Sequence, residues 1–408
     1  MRKCAPLCCA NCLLWRLQMD FGFDKVIDRH NTCSSKFDSA KGSGYPEDII
    51  PMFCADMDFQ APECVRTALA AAVEHGIFGY SFMDDVYYTA VEKWFEKRFD
   101  WQVSRDWLVS TPGVIFGLSA AVRAMTEPGE AVLIQPPVYS PFFGVVRNND
   151  RKLVENPLRY ENGVYTIDFE DMEAKIKEHN VKAIILCSPH NPVGRVWTVE
   201  ELQKVGALCK RYGVKVISDE IHCDFAFPEY PHTPFVKACP DMIDDAIVCT
   251  APSKTFNLAG LQVSNIFVPG EQLRKAVHKE MDMCAYHGPN QLGAIACKEA
   301  YIGGEAWLDA CKAYMRENLD YVRSFLREHL PQIKLVEPQG TYIIWLDCSE
   351  LGMSREDLMN LLTYKARVWL TDGKGFGDNG DLFVRMILAC PKATLVEAMD
   401  RLKKAILG

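Results

Sequence analysis

A single lysine, Lys254, lies in the stretch APSKTFNLAG, at the end of the apolar segment AIVCTAP. Burying a charged lysine is costly, so most lysines lie at the surface with the amine in water. A lysine at the end of a buried strand has a second use, because its amine can form a Schiff base with a carbonyl compound. Taken alone, the stretch favours an ordinary surface lysine, and the rest of the chain must decide.

Other polar side chains follow apolar runs that are typical of strands buried on both faces. Tyr139 follows AVLIQ, Asn191 follows KAIILC, and Asp219 and His222 both follow VKVIS. In open α/β sheets ligands bind beyond the carboxyl ends of the strands, so we expect these side chains to share one rim with Lys254. Each could instead be a helix cap, a turn residue before proline or a core aromatic. Their order at successive strand ends favours a site.

The segment DEIHCD could be mistaken for a set of metal ligands, because it holds Asp219, His222 and Asp224. A metal site would need further ligands from other strand ends. Those ends supply a lysine, so we expect no metal here.

The set of side chains at this rim is what pyridoxal phosphate needs. Lys254 can form an imine with the aldehyde of this cofactor, and Asp219 can keep the ring nitrogen protonated so that the ring accepts electrons. Asn191 can hydrogen bond the phenolic oxygen, and Tyr139 can stack on the ring. The helix that begins after the turn TPG can bind the phosphate through its free N–H groups.

Short apolar runs alternate with helical patterns from about residue 60 onwards, which predicts an α/β domain with a mainly parallel sheet. One of these helices, TVEELQKVGALCKRYG, begins with a Thr-x-x-Glu capping box and ends in glycine. After a long helical stretch around 290–330, the pattern changes to that of a smaller α+β domain. No Gly-x-Gly-x-x-Gly follows a strand and no Walker A lysine occurs, so the usual signals of nicotinamide and nucleotide binding are missing.

Composition excludes other classes of function. The chain has 408 residues and a net charge of −9, which gives no electrostatic support to nucleic-acid binding. No apolar run is long enough for a membrane-spanning helix, so we expect no membrane partner. Many of the 17 cysteines lie inside apolar runs, which is typical of free thiols in a reducing compartment, and we expect the cytoplasm.

Residues 1–18 form a cysteine-rich leader to which we assign no domain. A secretory signal would need a longer apolar core than this segment has, and a metal clip would need a second Cys/His pair nearby. We expect instead an upstream extension before a natural start at Met19.

Three motifs, SPHNPVGR, SDEIHCDF and APSKTFNLAGLQ, closely resemble those of the fold-type I pyridoxal-phosphate enzymes, the aspartate aminotransferase superfamily. The segments IIPMFCADMDF, FGYS and TPGVIFGLSAAVRA resemble its MalY/PatB branch of cystathionine and cysteine-sulfur β-lyases. The resemblance runs from about Phe21 to the C-terminus. It implies an α/β/α sandwich around a mainly parallel, seven-stranded sheet. The implied divisions are an N-terminal arm at 19–60 that packs with the small domain, a large cofactor-binding domain at 61–300 and a small domain at 301–408.

The resemblance also implies a role for each site residue. Lys254 becomes the Schiff-base lysine, Asp219 the partner of the ring nitrogen and Tyr139 the stacking ring. Tyr80 is implied to reach the phosphate of the partner subunit, which makes a homodimer necessary. Arg385, together with Asn191, is implied to bind the substrate α-carboxylate, where the bidentate geometry of arginine is an advantage. The remaining implied cofactor contacts are Gly113, Val114, Ile115, Asn191, His222 and Ser253.

Two positions depart from the pattern of the relatives. Gln262 stands where many of them have an arginine that contacts the phosphate, so phosphate binding must depend on backbone N–H groups, Ser253 and Tyr80. Ser140 stands where some C–S lyases have a second tyrosine, which leaves the proton transfer to the leaving group open.

The expected activity is α,β-elimination from a small sulfur amino acid, such as cystathionine or cysteine, to a thiol, pyruvate and ammonia. An aminotransferase is the alternative, because it uses the same residues for the first steps. A regulatory or binding protein on the same fold is a third hypothesis. The presence of Lys254, Asp219, Asn191 and Arg385 argues against it.

Overall fold

The computed structural model describes residues 20–408, so the predictions made for the leader at 1–18 lie outside the described residues. The helices are α1 (Ser39–Gly42), α2 (Glu63–His75), α3 (Asp85–Phe99), α4 (Val114–Met125), α5 (Pro141–Arg147), α6 (Phe169–His179), α7 (Val199–Tyr212), α8 (Phe235–Ala238), α9 (Pro252–Thr255), α10 (Glu271–Met283), α11 (Gln291–Gly303), α12 (Glu305–His329), α13 (Arg355–Asn360) and α14 (Lys392–Leu407). The strands are β1 (Ile50–Pro51), β2 (Leu108–Thr111), β3 (Ala131–Ile134), β4 (Lys152–Glu155), β5 (Arg159–Glu161), β6 (Val164–Thr166), β7 (Ala183–Cys187), β8 (Lys215–Asp219), β9 (Ala246–Thr250), β10 (Ser264–Phe267), β11 (Lys334–Val336), β12 (Ile343–Asp347), β13 (Val368–Trp369), β14 (Thr371–Asp372) and β15 (Phe383–Ile387).

Seven strands form the large sheet, in the order β2-β10-β9-β8-β7-β3-β4. Strand β10 is antiparallel to both of its neighbours, and the pairs from β9 to β4 are parallel. The predicted α/β fold with a mainly parallel, seven-stranded sheet is confirmed. The carboxyl ends of β3, β7, β8 and β9 therefore meet at one edge, where ligands of such sheets bind.

Helices cover both faces of this sheet. Ile185 and Ile217 point into the apolar layer formed with α4, α5 and α10, whereas Ile184 and Val216 point into the layer formed with α3, α6, α7 and α11. This burial on both faces explains why the strands are continuous apolar runs in the sequence. Helix α7 begins at the predicted capping box of Thr198 and Glu201 and ends at Gly213 in the left-handed conformation.

A second, antiparallel sheet has the order β11-β12-β15-β14 and packs against α12 and α14. Its position in the C-terminal part of the chain agrees with the expected α+β character of that part. The boundaries at 60 and 300 stay a prediction.

The N-terminal arm crosses between the two sheets. Ile50 pairs with Val368 in the C-terminal part, and the backbone N–H of Asp58 donates to the carbonyl oxygen of Ala389 at 2.9 Å. The side chain of Lys36 is buried and donates to both carboxylate oxygens of Asp58, at 3.0 and 2.9 Å. These contacts fix residues 50–59, a segment that includes Ala55 on the wall of the cavity at the edge of the large sheet.

Three further features bear on function. No helix within residues 20–408 combines the length and the apolar character needed to cross a membrane. The cysteines in this part of the chain are free, and most of them are buried. In the same part of the chain, no cluster of three or more His, Cys, Asp or Glu side chains could hold a metal ion.

Candidate active site

A cavity lies at the carboxyl edge of the large sheet. Its walls include Ala55 from the arm, Cys187 at the end of β7 and Ile221 after β8. The other lining residues are Val114, Ile115, Tyr139, Asn191, Asp219, His222 and Lys254. Seven residues that the sequence places at separate strand ends and at one helix start therefore line a single space.

Lys254 lies in α9, a short helix that begins two residues after β9 ends. Its Nζ donates a hydrogen bond to the carbonyl oxygen of Ala55 at 2.8 Å. Burial lowers the pKa of this lysine, and the nearby Arg385 guanidinium lowers it further. A larger share of Lys254 is therefore a neutral amine, which is the form that acts as a nucleophile or a base.

Asp219 is the last residue of β8 and is only 3% exposed. Its Oδ1 accepts a hydrogen bond from the backbone N–H of Ile221 at 3.2 Å. Burial raises the pKa of Asp219 to about 7, and the adjacent Glu220 contributes in the same direction. A carboxylate in this position needs a cation beside it to stay ionised without cost.

His222 also lies on the cavity wall and is buried. Its ring packs edge-on against Tyr342, and its Nδ1 has no hydrogen-bond partner within the described residues. Burial lowers the pKa of His222 to about 3, with Lys254 and Arg385 adding to the effect. The ring is neutral at physiological pH, so it can donate from one nitrogen and accept at the other.

Arg385 lies in β15 of the second sheet and contacts Asn191, which follows strand β7 of the large sheet. Its Nη1 donates to Oδ1 of Asn191 at 3.2 Å, and its Nη2 donates to the carbonyl oxygen of Phe53 at 2.7 Å. The guanidinium lies over the ring of Phe376, 4.9 Å from its centroid. Its Nε has no partner in the part of the chain that the structure describes. Burial lowers the pKa of Arg385 to about 10, so it still carries its charge at neutral pH.

Helix α4 points its N-terminus at the cavity, because Val114 and Ile115 form its first turn and line the wall. Gly113 precedes it with a φ of 139°, a backbone conformation that side chains other than glycine rarely adopt. The free N–H groups of such a helix start attract anions. Ser253 is the residue before Lys254 in α9, and its side chain is not among those on the cavity wall.

Tyr139 forms another part of the wall, and its ring packs edge-on against Phe142 at 5.8 Å. Burial raises the pKa of its hydroxyl, which therefore stays protonated at neutral pH. The next residue, Ser140, is exposed and precedes α5.

Two other residues from the sequence interpretation lie at the surface. The side chain of Tyr80 is fully exposed, at 111%, and lies in a groove with Tyr286 rather than on the cavity wall. Gln262 is exposed and adopts a φ of 49°. Within one chain, the structure does not bring either of them to the other predicted residues.

The structure adds residues that sequence reasoning missed. Ala55 receives the Lys254 bond through its backbone, and Phe53 receives the Arg385 bond in the same way. Every residue has a backbone carbonyl group, so residue types could not identify either of these two contacts. Tyr342 and Phe376 lie under His222 and Arg385, and their aromatic character alone did not separate them from core residues.

The cavity offers an amine with a lowered pKa, a buried acid and an anion-binding helix start. Asn191 on its wall is bonded to Arg385, a cation with a free N–H. These groups can bind an amino acid through its carboxylate and move a proton at its α-carbon. They can also hold an aromatic cofactor with a phosphate and a basic ring nitrogen.

Comparisons with known proteins agree with this geometry. Residues 48–402 match the family described as Aminotransferase class I and II. The chain is 41% identical to cystathionine beta-lyase PatB of Bacillus subtilis, over 94% of this chain and 99% of that protein. It is 32% identical to protein MalY of Escherichia coli, over 95% of this chain and 99% of that one.

Among solved structures, cystalysin from Treponema denticola superimposes with a TM-score of 0.92 and 36% identity, covering 95% of this chain and 99% of that chain. The description of that structure states that it contains a pyridoxal 5'-phosphate cofactor. The resemblance inferred from the sequence motifs is therefore confirmed. This chain belongs to the aminotransferase class I and II family.

Proposed function

We propose that this chain is a pyridoxal-phosphate-dependent carbon–sulfur β-lyase. It cleaves amino acids with sulfur on the β-carbon, such as cystathionine or cysteine, to a thiol, pyruvate and ammonia. The observation that carries the proposal is the bond between Arg385 and Asn191, at 3.2 Å. It joins a carboxylate-binding cation to the rim of the cavity that holds Lys254 and Asp219. The name of the Bacillus subtilis relative, cystathionine beta-lyase PatB, supports the same reaction.

The cavity fits the cofactor in three respects. Asp219 is a buried acid whose pKa is raised, and a protonated ring nitrogen is the cation that such an acid lacks. His222 has an unpartnered Nδ1 on the same wall, and Asn191 is close enough to Arg385 to bond it. The start of α4 after Gly113, with the N–H groups of Val114 and Ile115, suits a phosphate.

When bound, pyridoxal phosphate supplies an electron-withdrawing ring that acidifies the Cα–H bond of an attached amino acid. We assign the binding and orientation of the cofactor to residues of this chain. Asp219 keeps the proton on the ring nitrogen, and Tyr139 stacks on the ring. Asn191 and His222 hold its polar edge, and Ser253 assists the helix start with the phosphate.

Lys254 is the proposed base. Its lowered pKa favours the neutral amine, which takes the Cα proton while Arg385 fixes the carboxylate. The bond between the β-carbon and sulfur then breaks, and sulfur leaves with the electron pair. A thiol has a pKa of about 8.5, so its thiolate leaves without a strong acid beside it. Lys254 carries the proton that the thiolate can take, so Ser140 is compatible with the reaction.

The assembly is proposed to be a homodimer in which Tyr80 completes the phosphate site of the partner subunit. Around Tyr80 the chain exposes several large apolar side chains: Ile77 at 66%, Phe78 at 61% and Phe82 at 82%. Exposed apolar patches of this kind mark protein interfaces. The free, mostly buried thiols are typical of a reducing compartment, and we propose the cytoplasm.

The test is pyruvate formation from L-cystathionine by the purified holoprotein with no keto acid present. We expect pyruvate and homocysteine in equal amounts, and none from Lys254→Ala, a variant that should still fold because Lys254 lies in a cavity wall. Arg123→Lys is a control variant, since Arg123 lies in the last turn of α4 and binds Glu280 at 2.8 Å. This variant should have near-normal activity.

Two results would change the assignment. If amino groups reach a keto acid but no pyruvate forms without one, the protein is an aminotransferase. If Lys254→Ala retains both the cofactor absorbance and the activity of the parent, Lys254 is not the cofactor lysine and the proposed site is wrong.

A further inference from the structure

The carbonyl oxygen of Ala55 accepts two hydrogen bonds inside the site. One comes from Nζ of Lys254 at 2.8 Å, and the other comes from the hydroxyl of Tyr342 at 3.0 Å. A carbonyl oxygen has two lone pairs, so these two donors use its full capacity. Ala55 thus connects the proposed catalytic lysine to a tyrosine that the reaction scheme does not use.

Tyr342 is held rigidly. It is 1% exposed, and its ring packs edge-on against His222 and Phe225, at 5.8 and 4.9 Å between centroids. Its backbone oxygen accepts from the N–H of Leu388 at 2.8 Å. Because the ring cannot turn, its hydroxyl fixes the direction of the Ala55 carbonyl.

The arm around Ala55 is fixed from the lysine side as well. Asn257, three residues after Lys254, accepts from the N–H of Met57 at 3.0 Å and donates to the oxygen of Met57 at 2.9 Å. It also donates to the oxygen of Phe59 at 2.9 Å. The carbonyl that meets Lys254 is therefore held on both sides, which an incidental contact would not require.

We propose that the Ala55 carbonyl is the resting site of the Lys254 amine while a substrate occupies the cofactor, and that Tyr342 is the positioning residue for this site. The inference rests on the proposed function. With pyridoxal phosphate bound, the substrate amine would take the place of the Lys254 amine on the cofactor, which would release the lysine nitrogen. The substrate reacts as the neutral amine, after giving one proton to solvent, and Lys254 is released as a neutral amine, the form that takes the Cα proton.

This site stabilises the state in which Lys254 has been displaced. An amine that donates to a carbonyl oxygen away from water forms a stronger hydrogen bond than it would in water, and this bond holds the neutral lysine in place. Without the Tyr342 hydroxyl, the carbonyl is free to turn and the bond to Lys254 weakens. Tyr342 therefore favours binding of ligands that displace the lysine, and has no effect on ligands that only reach Arg385.

The test compares two ligands on the holoprotein of the parent and of Tyr342→Phe. L-alanine has an amine that displaces Lys254 but no leaving group, and its binding is followed through the absorbance of the cofactor. Propionate has the carboxylate alone, and its binding is measured by inhibition. We expect the dissociation constant of L-alanine to rise about threefold to tenfold, the effect of one hydrogen bond. The dissociation constant of propionate should stay the same.

Tyr87→Phe is the matched control, since its buried hydroxyl donates to Asn265 at 2.7 Å and Tyr87 is not on the cavity wall. It should leave both constants unchanged. Asn257→Gly is a second variant. Glycine can adopt the φ of 58° found at this position, but it cannot make the side-chain bonds that hold the arm. This variant should weaken the binding of L-alanine and leave that of propionate unchanged. It keeps the inference testable if Tyr342→Phe does not fold.

Unchanged L-alanine binding in Tyr342→Phe would overturn the inference and leave the proposed function standing. An equal loss for L-alanine and propionate would overturn it too, because it would mean a general change of the pocket. If the parent shows no absorbance change with L-alanine at all, the proposed role of Lys254 is wrong, and the inference is lost with it.

Discussion

The substitution Asp219→Asn separates the effect of the buried carboxylate on stability from its role in binding the cofactor. Asp219 is buried, and burial raises its pKa from the usual 3.8 to about 7. Asparagine has the same shape and keeps an oxygen to accept the 3.2 Å bond from the N–H of Ile221, but it carries no charge. The variant therefore removes the ionisation and leaves the packing almost unchanged.

The magnitude follows from the pKa shift. A rise of about three units, at about 1.4 kcal/mol per unit, corresponds to roughly 4 kcal/mol between the two protonation states. The folded pKa lies above the unfolded one, so the native state keeps its proton longer. This stabilising contribution is complete below about pH 4 and is lost as the pH rises to about 7.

The assay is urea unfolding of the cofactor-free proteins at pH 5 and at pH 8. We expect the stability of Asp219→Asn relative to the parent to increase by roughly 2–3 kcal/mol from pH 5 to pH 8, because part of the effect is already present at pH 5. With the cofactor bound the order should reverse, because the parent carboxylate then faces a protonated ring nitrogen and the amide does not. Asp244→Asn, at an exposed carboxylate, is the control and should show neither effect.

One result would refute this reasoning. If the difference between parent and Asp219→Asn is the same at both pH values without cofactor, burial does not raise the pKa of Asp219. The carboxylate would then need no cation, and a main reason for placing the ring nitrogen beside it would be lost.

Three other predictions follow from the contacts. Arg385→Lys should raise the KM for cystathionine about tenfold to a hundredfold with a smaller change in kcat, as measured by initial rates, because lysine cannot bond the carboxylate and Asn191 together. Mixing Tyr80→Phe with Lys254→Ala, each with low activity at limiting cofactor, should restore about one quarter of the sites if Tyr80 acts across a dimer, and none if it acts within its own chain. Lys36→Met should cost about 1.5–3 kcal/mol of stability in thermal or urea unfolding, because it removes a buried donor to both oxygens of Asp58 and leaves Arg29 as the remaining cation.

The sequence was sufficient to predict the sheet and most of the residues around the cavity, for a physical reason. In a parallel sheet the carboxyl ends of strands meet, so a polar residue after each apolar run has to lie near the others. Asn191, Asp219 and Lys254 follow this rule directly, and all three line the cavity. Val114 was predictable because a glycine turn before an apolar helix indicates a helix start.

The arm was not predictable in the same way. It contributes Ala55 and Phe53 through carbonyl oxygens, which every residue type has. Nothing in the sequence indicates that residues 53–59 pass between Lys254 and Arg385, which are 131 residues apart. Such contacts depend on the packing of the two sheets, and periodicity within one segment carries no information about it.

Tyr80 shows a different limit. Its motif resembles that of the relatives, yet in one chain its side chain is in full contact with solvent. A role across a subunit interface depends on a second copy, so only the mixing experiment tests it.

Two buried nitrogen atoms near the site have no hydrogen-bond partner within residues 20–408. Nε of Arg385 and Nδ1 of His222 belong to residues that are 7% and 2% exposed, and neither has a partner within residues 20–408. An unpaired buried polar group costs about 1–3 kcal/mol. Together with the raised pKa of Asp219, these atoms give the cavity three polar groups that a ligand can stabilise. A ligand with a carboxylate, a polar ring edge and a cationic nitrogen satisfies all three groups at once, and an amino acid with pyridoxal phosphate has these features.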